Sequence, residues 1–69
     1  MATAHFALTP READVIRLLA RGLANKAIAQ ELGIAAITVR LCLRNAFRKM
    51  QARNRLDALR IALESGLAR

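Results

Sequence analysis

The sequence predicts an all-α domain built from four short helices. Hydrophobic residues make up 55% of its 69 residues and are mainly alanine, leucine and isoleucine, whereas aromatic residues make up only 3%. No segment alternates polar and apolar residues over a useful length, as a half-buried strand would. Apolar residues instead recur at helical spacing between glycine, proline and asparagine residues that start or stop helices. A chain of this length forms a single domain.

The first helix has the clearest start signal. Thr9 can cap the free amides, Pro10 suits the first helical position, and Glu12 can reach back to the amide of Thr9. We predict this helix over about residues 10–21 and treat residues 1–8 as an N-terminal tail. The helix-turn-helix domain itself is expected to span residues 9–67.

The other three helices are placed by similar signals. Asn25 is the expected cap of the second helix, which should end at the next glycine. The third helix is predicted over about residues 36–51, with Ala35 at the place where a capping serine or threonine is usual. Asn54, with Asp57 three residues later, predicts a second capping box and a fourth helix.

The chain is strongly basic. Twelve Lys and Arg residues against five Asp and Glu residues give a formal net charge of +7. This charge favours an acidic partner, which leaves nucleic acid, an anionic membrane surface or an acidic protein. Basic residues interrupt every apolar run before it reaches the roughly 18 residues that a bilayer span requires, and no signal peptide is visible. The single cysteine, Cys42, permits no internal disulfide and fits a cytoplasmic protein.

The third helix divides into two faces. Its core face is expected to comprise Val39, Leu43, Ala46 and Met50, which fall close together at 100° per residue. A row of arginines, spaced four residues apart, lies on the other side: Arg40, Arg44 and Arg48. Like charges at this spacing destabilise an isolated helix, so the row favours a polyanionic partner. The alternative is a basic face that only meets solvent.

Leu41 projects on the basic side of the third helix, where it has no core to join. One interpretation is an apolar contact with the methyl group of thymine in the major groove of DNA. The other is an isolated exposed leucine, which is ordinary in proteins. The sequence leaves both open.

Several runs of residues carry a resemblance to one family. They are Leu8-Thr9-Pro10-Arg11-Glu12, Gly22, Asn25-Lys26-Ala27-Ile28-Ala29, Leu32, Thr38-Val39-Arg40, Arg48-Lys49-Met50 and Arg53-Asn54-Arg55. With this spacing the chain resembles the LuxR-type helix-turn-helix of bacterial transcriptional regulators over residues 8–67. The resemblance implies a four-helix domain whose third helix enters the major groove of duplex DNA.

The same resemblance implies roles for single residues. The positions that typically reach base edges are occupied by Arg40, Leu41 and Arg44. The positions that typically touch phosphates are occupied by Lys26, Thr38 and Lys49, to which the row of arginines adds Arg48.

The fourth helix has apolar residues on two faces. Leu56, Leu59 and Leu63 are expected to pack against the first three helices. The second face, formed by Ala58, Ile61 and Ala62, is the predicted homodimer interface, because LuxR-type domains commonly pair through this helix. The alternative is that these are tolerated surface residues.

The predicted function is therefore sequence-specific binding of duplex DNA by a bacterial transcriptional regulator. No Ser/His/Asp or Cys/His arrangement, shared carboxylate pair or glycine-rich phosphate loop points to an enzyme, and no cofactor, metal or small-molecule ligand is expected. Two alternatives remain. The same fold could bind an acidic protein, or the chain could lie on a membrane surface, although its well-capped helices argue for a self-contained fold.

Overall fold

The predicted all-α class is confirmed. The computed structural model describes residues 6–67, and within them it contains four α-helices and no strand. They are α1 (Pro10–Ala20), α2 (Asn25–Leu32), α3 (Ala36–Met50) and α4 (Arg55–Ser65). α1 and α3 each pack against all three of the other helices.

The capping box of α1 forms as predicted. The hydroxyl oxygen of Thr9 accepts a hydrogen bond from the amide of Glu12 at 3.1 Å, and Oε1 of Glu12 accepts one from the amide of Thr9 at 3.0 Å. Pro10 occupies the first helical position, where its missing N–H leaves no intrahelical bond unmade. At the other end, Gly22 adopts a φ of 91°, which suits glycine.

The predicted cap of α2 is wrong. Ala24 is the N-cap residue and makes no side-chain hydrogen bond, while Asn25 is already the first residue of the helix. Its side-chain oxygen accepts a hydrogen bond from Arg55 instead. The end of α2 is as predicted, with Gly33 in the left-handed conformation at a φ of 67°.

α3 follows its predicted boundaries within one residue, and α4 begins directly after Asn54, as predicted. Ala35 is the N-cap of α3 and supplies no side-chain bond, and Gln51 ends the helix in the left-handed region at a φ of 57°. Asn54 caps α4 by accepting from the amide of Asp57 at 2.8 Å. The second capping box is only half formed, since the Asp57 carboxylate accepts from the amide of Arg53 rather than from that of Asn54.

All four helices contribute to one hydrophobic core. The core face predicted for α3 is buried, which confirms that prediction. The buried apolar residues are Ala13, Val15, Ile16, Leu18, Leu19, Ile28, Ala29, Val39, Leu43, Ala46, Met50, Ala58, Ala62 and Leu67.

The predicted faces of α4 are reversed. Ala58 and Ala62 are completely buried in the domain's own core, and Ile61 packs against it, so they do not form a free dimer surface. Leu56 and Leu63, predicted to face inward, are 75% and 60% exposed. The physical reason is that small side chains let α4 approach α1 closely, since the distance between helix axes depends on the residues at the contact.

The start of the domain also differs from the prediction of a tail over residues 1–8. Phe6 and Leu8 are half-buried and pack against the core, so residues 6–8 belong to the packed domain. Residues 1–5 lie outside the described part of the chain.

Candidate nucleic-acid interface

α2 and α3 form a helix-turn-helix around a three-residue turn. Gly33 bends the chain out of α2, and the amide of Ile34 donates to the carbonyl of Ala29 at 3.0 Å. Ile34 itself is half-buried against the core and thereby anchors the turn. Buried residues hold the inner sides of both helices, which leaves the outer side of α3 exposed.

The row of arginines lies on that outer side. Arg40, Arg44 and Arg48 are all exposed, as predicted. The guanidinium groups of Arg40 and Arg44 make no hydrogen bond or ion pair with any described residue. Arg48 donates to the side-chain oxygen of Asn45 at 3.2 Å, and because this amide is neutral the charge of Arg48 is not compensated. The row therefore presents uncompensated positive charge to whatever meets this face.

Two apolar side chains lie among these arginines. Leu41 is 50% exposed, in agreement with the sequence interpretation, and Ile37 is 55% exposed. Ile37 was not among the candidate site residues predicted from the sequence, although a helical projection indicates its exposure. At 3.6 residues per turn Ile37 points about 160° away from the buried Val39. The outer face of α3 is thus mixed, with apolar and cationic groups side by side.

Lys26 and Thr38 lie in the first turns of α2 and α3. Lys26 is exposed and Thr38 is half-buried. Each helix has an alanine as its N-cap with no side-chain hydrogen bond, so the first amides of both helices lack a capping partner from the chain. Free amides and the helix dipole favour anions at such ends.

Lys49 is already engaged within the domain. Its ammonium group donates to Oε1 of Glu12 at 2.6 Å, and the Lys49 side chain is 30% exposed while that of Glu12 is 8% exposed. Burial by itself would raise the pKa of Glu12, but the hydrogen bonds from Lys49 and Thr9 outweigh it and lower that pKa. The ion pair ties the end of α3 to the start of α1. The ammonium group of Lys49 thus already has an anionic partner within the domain.

Arg55 makes a second link that the sequence analysis did not anticipate. It donates to the side-chain oxygen of Asn25 and to the carbonyl oxygen of Leu23, both at 2.9 Å. The first residue of α4 thereby holds the segment that leads into α2. No local pattern signals this contact, because it joins residues 30 positions apart.

Comparison with known proteins decides the family. The family model described as bacterial regulatory proteins, luxR family, matches residues 7–62, which is most of the chain. The chain belongs to the luxR family. The predicted resemblance and the predicted function in DNA-binding transcription regulation are confirmed.

Relatives of this LuxR-type domain come from several bacteria. It is 43% identical to Nodulation protein W of Bradyrhizobium diazoefficiens over 61 residues, which cover 88% of this chain and 27% of that protein. It is also 43% identical to the nitrate/nitrite response regulator protein NarL of Escherichia coli K12 over 51 residues, 74% of this chain and 24% of NarL. Transcriptional regulatory protein FixJ of Azorhizobium caulinodans is 43% identical over 61 residues, 88% of this chain and 29% of FixJ.

The LuxR-type domain thus spans about a quarter of the length of these curated relatives. No solved structure matches it. Within residues 6–67, no helix combines the length and the apolar character that crossing a membrane requires. The same residues hold no group of three or more His, Cys, Asp and Glu side chains placed to bind a metal ion.

Proposed function

We propose that this LuxR-type domain recognises specific sequences in duplex DNA by placing α3 in the major groove. The exposed guanidinium groups of Arg40 and Arg44, which have no acidic partner in the described chain, carry this proposal. The major groove is about 12 Å wide and admits an α-helix, and arginine binds the O6 and N7 atoms of guanine with two hydrogen bonds. A row of free cations on the outer side of the second helix of a helix-turn-helix suits that groove.

Base contacts are assigned to Arg40, Leu41 and Arg44. Phosphate contacts are assigned to Lys26, Thr38 and Arg48, which lie in the first turns of α2 and α3 and near the end of α3. Free amides at the two helix starts add donors for phosphate oxygens. Lys49 is left out of this set, because its ammonium group neutralises the buried Glu12.

The domain is proposed to act as a homodimer that pairs through α4. The proposal now rests on Leu56 and Leu63, whose exposed side chains lie on the side of α4 opposite the buried alanines. Leu56 lies at an open groove of about 620 Å³, whose lining includes Leu19, Leu23 and Leu59 together with the polar side chains of Asn25 and Arg55. One recognition helix covers few base pairs, which is little information among the roughly a million or more competing sites of a genome, so a second copy doubles the site.

Further expectations follow from this assignment. The domain is proposed to be cytoplasmic, to require no cofactor and no small-molecule ligand of its own, and to catalyse no reaction. The side chains on its exposed α3 face are suited to hold a polyanion and not to transfer a proton or a group.

The test begins with duplexes recovered from a random pool at near-physiological salt. Affinity for the preferred duplex is then measured as salt rises. If Lys26 and Arg48 each neutralise one phosphate and release its counterion, the slope of log K against log salt should be about −1.8 per copy. A flat response, or no duplex bound even at low salt, contradicts the proposal.

Two variants with equal loss of charge separate base contacts from phosphate contacts. Arg44→Ala should lose about 1–3 kcal/mol on the preferred duplex and relax the choice at one base pair. Its matched control is Arg48→Ala, which should weaken all duplexes alike and reduce the salt slope by about one. Equal, sequence-independent losses from both variants would show that Arg44 does not read bases.

A further inference from the structure

Two large apolar side chains are exposed on α3, on the face opposite the core. Ile37 is 55% exposed and Leu41 is 50% exposed, whereas Val39 and Leu43 of the same helix are buried. Residues four apart on a helix are neighbours on its surface, so the two side chains form one short ridge. We call Ile37 and Leu41 the apolar ridge of α3.

The apolar ridge is embedded among cations. At 100° per residue, Arg44 projects about 20° to one side of Ile37 and Leu41 about 40° to the other side. Arg40 and Arg44 have no acidic partner in the described chain, and Arg48 pairs only with an amide oxygen. A partner that covers the ridge must therefore be an anion that also offers an aliphatic group.

Duplex DNA meets both conditions. Its major groove presents hydrogen-bonding groups and one aliphatic group, the methyl on C5 of thymine. The two residues of the ridge are separated by about 6 Å along the axis of α3, and neighbouring base pairs are separated by about 3.4 Å along the axis of the duplex. The ridge therefore matches pyrimidine methyl groups one or two base pairs apart, next to guanines within reach of the arginines.

We propose that Ile37 acts together with Leu41 as a reader of pyrimidine 5-methyl groups, so that the preferred duplex is one in which both side chains cover such methyls. This inference rests on the proposed function and adds Ile37 to the specificity-determining residues. Ile37 cannot hydrogen-bond, so a polar base edge beneath it loses its water without gaining a partner. A duplex with a 5-methyl group under Ile37 is therefore bound more tightly than one with a polar base edge there.

The first experiment changes only the methyl group. Each thymine of the selected duplex is replaced singly by uracil, which keeps every base pair and every hydrogen-bonding group. We expect two such positions in each half-site to lose about fourfold in affinity, the worth of one buried methyl-sized group. Replacing the same thymine by cytosine should weaken binding, and 5-methylcytosine should bind more tightly than cytosine there.

The second experiment assigns each methyl to a side chain. Ile37→Ala should weaken binding to the thymine duplex about as much as uracil does, and should cost nothing further on the duplex with uracil at its own position. Leu41→Ala should behave in the same way at the other position. Both side chains are exposed, so circular dichroism should show unchanged helix content. Gln30→Ala, which shortens an exposed side chain on α2 that has no proposed DNA contact, is the control and should show no thymine–uracil difference from wild type.

The outcomes distinguish this inference from the proposed function. If the domain binds tightly and sequence-selectively, and uracil at no position lowers the affinity, then Ile37 and Leu41 do not contact methyl groups. The proposed function would still stand. Equal losses from Ile37→Ala on thymine and uracil duplexes also overturn the inference, because Ile37 would then contact something other than a methyl. Failure to bind any duplex overturns the proposed function and the inference together.

Discussion

The carboxylate of Asp57 is a shared acceptor near the start of α4. One oxygen accepts from the amide and the side chain of Arg53 at 3.0 and 3.4 Å, and the other accepts from Arg60 at 2.8 Å. The amide hydrogen bond from Arg53, followed by that from the Arg60 side chain, lowers the pKa of Asp57 to about 2 from its usual 3.8. All of these bonds favour the charged carboxylate.

This lowered pKa predicts a pH dependence of stability. A carboxyl group whose pKa is lower in the folded state than in the unfolded state stabilises the fold above the unfolded pKa. The stabilisation by Asp57 should therefore be complete above about pH 4 and be lost as the pH falls towards 2. Urea midpoints measured across this range should fall in the wild type, and Asp57→Asn should have a lower midpoint at neutral pH and a shallower fall.

The control for this prediction is Glu64→Gln, which removes an exposed carboxylate that also pairs with Arg60. It should keep most of the wild-type pH dependence, since exposed ion pairs contribute little. Part of the fall should survive in Asp57→Asn, because the pKa of Glu12 is lowered too. An unchanged slope in Asp57→Asn would show that the lowered pKa of Asp57 does not contribute to stability.

Single residues differ in how far the sequence predicts their roles. The bonds of Thr9 with Glu12 and of Asn54 with the amide of Asp57 join positions three apart, so local spacing alone is enough to predict them. The pair of Lys49 with Glu12 joins positions 37 apart, and its existence depends on how α3 crosses α1. The resemblance therefore gave Lys49 a phosphate contact, and nothing in the local sequence indicated that the fold pairs it with Glu12.

Among the elements, α3 carries the candidate site on a helix whose start is weakly stabilised. Its N-cap residue, Ala35, has the extended backbone of a normal cap, with φ of −72° and ψ of 149°, but no side-chain oxygen to accept from the first amides. Serine at this place would satisfy one of them. The geometry for a cap is present, and only the hydroxyl is missing.

Ala35→Ser is therefore expected to stabilise the domain by about 0.5–2 kcal/mol, the usual difference between serine and alanine at an N-cap. The free energy of unfolding in urea measures the effect. Ala36→Ser makes the same chemical change one residue later, inside the helix, and should be neutral or slightly destabilising, because serine is a poorer helix former than alanine. Equal effects from both variants would mean that capping is not the cause.

α4 shows where a periodic pattern is insufficient for predicting an element's orientation. Its sequence carries two apolar faces, and periodicity cannot tell which of them faces inward. Larger side chains usually bury more apolar area, which favours the leucine face. Which face of α4 packs inward depends on how closely α4 and α1 can approach each other, and the small side chains of Ala58 and Ala62 permit the closer approach. Several helix boundaries needed no such information, since Thr9 and Asn54 mark the starts of α1 and α4, and Gly22 and Gly33 follow the ends of α1 and α2.

At the scale of the whole molecule, two exposed surfaces differ in character. The outer side of α3 is cationic with the apolar ridge among its arginines, and the outer side of α4 presents Leu56 and Leu63. α4 already has a buried inner face, and its two exposed leucines add little to the packing of the described residues. Exposed apolar surface of this kind is typical of sites of association.

Leu63→Glu tests the proposed pairing through α4. Because Leu63 is 60% exposed, the variant should keep its helical circular dichroism. It should lose cooperative occupancy of a duplex with two half-sites about one helical turn apart, since a charge would be placed where two copies meet. Its affinity for a single half-site should change far less.

Gln30→Glu is the matched control, because it adds the same charge at an exposed position of α2. It should retain cooperative occupancy of the two half-sites. A Leu63→Glu variant that fills both half-sites as cooperatively as wild type would show that the copies do not pair through this face of α4.

The division of α3 into an inner and an outer side has a practical consequence for changing its target. Val39, Leu43, Ala46 and Met50 hold the helix in place, and Lys49 ties its end to Glu12. None of these residues belongs to the proposed base-reading set. A new binding preference could therefore be transplanted by exchanging only the outer residues of this one helix. The five scaffold residues, and with them the architecture of the recipient domain, would be left untouched.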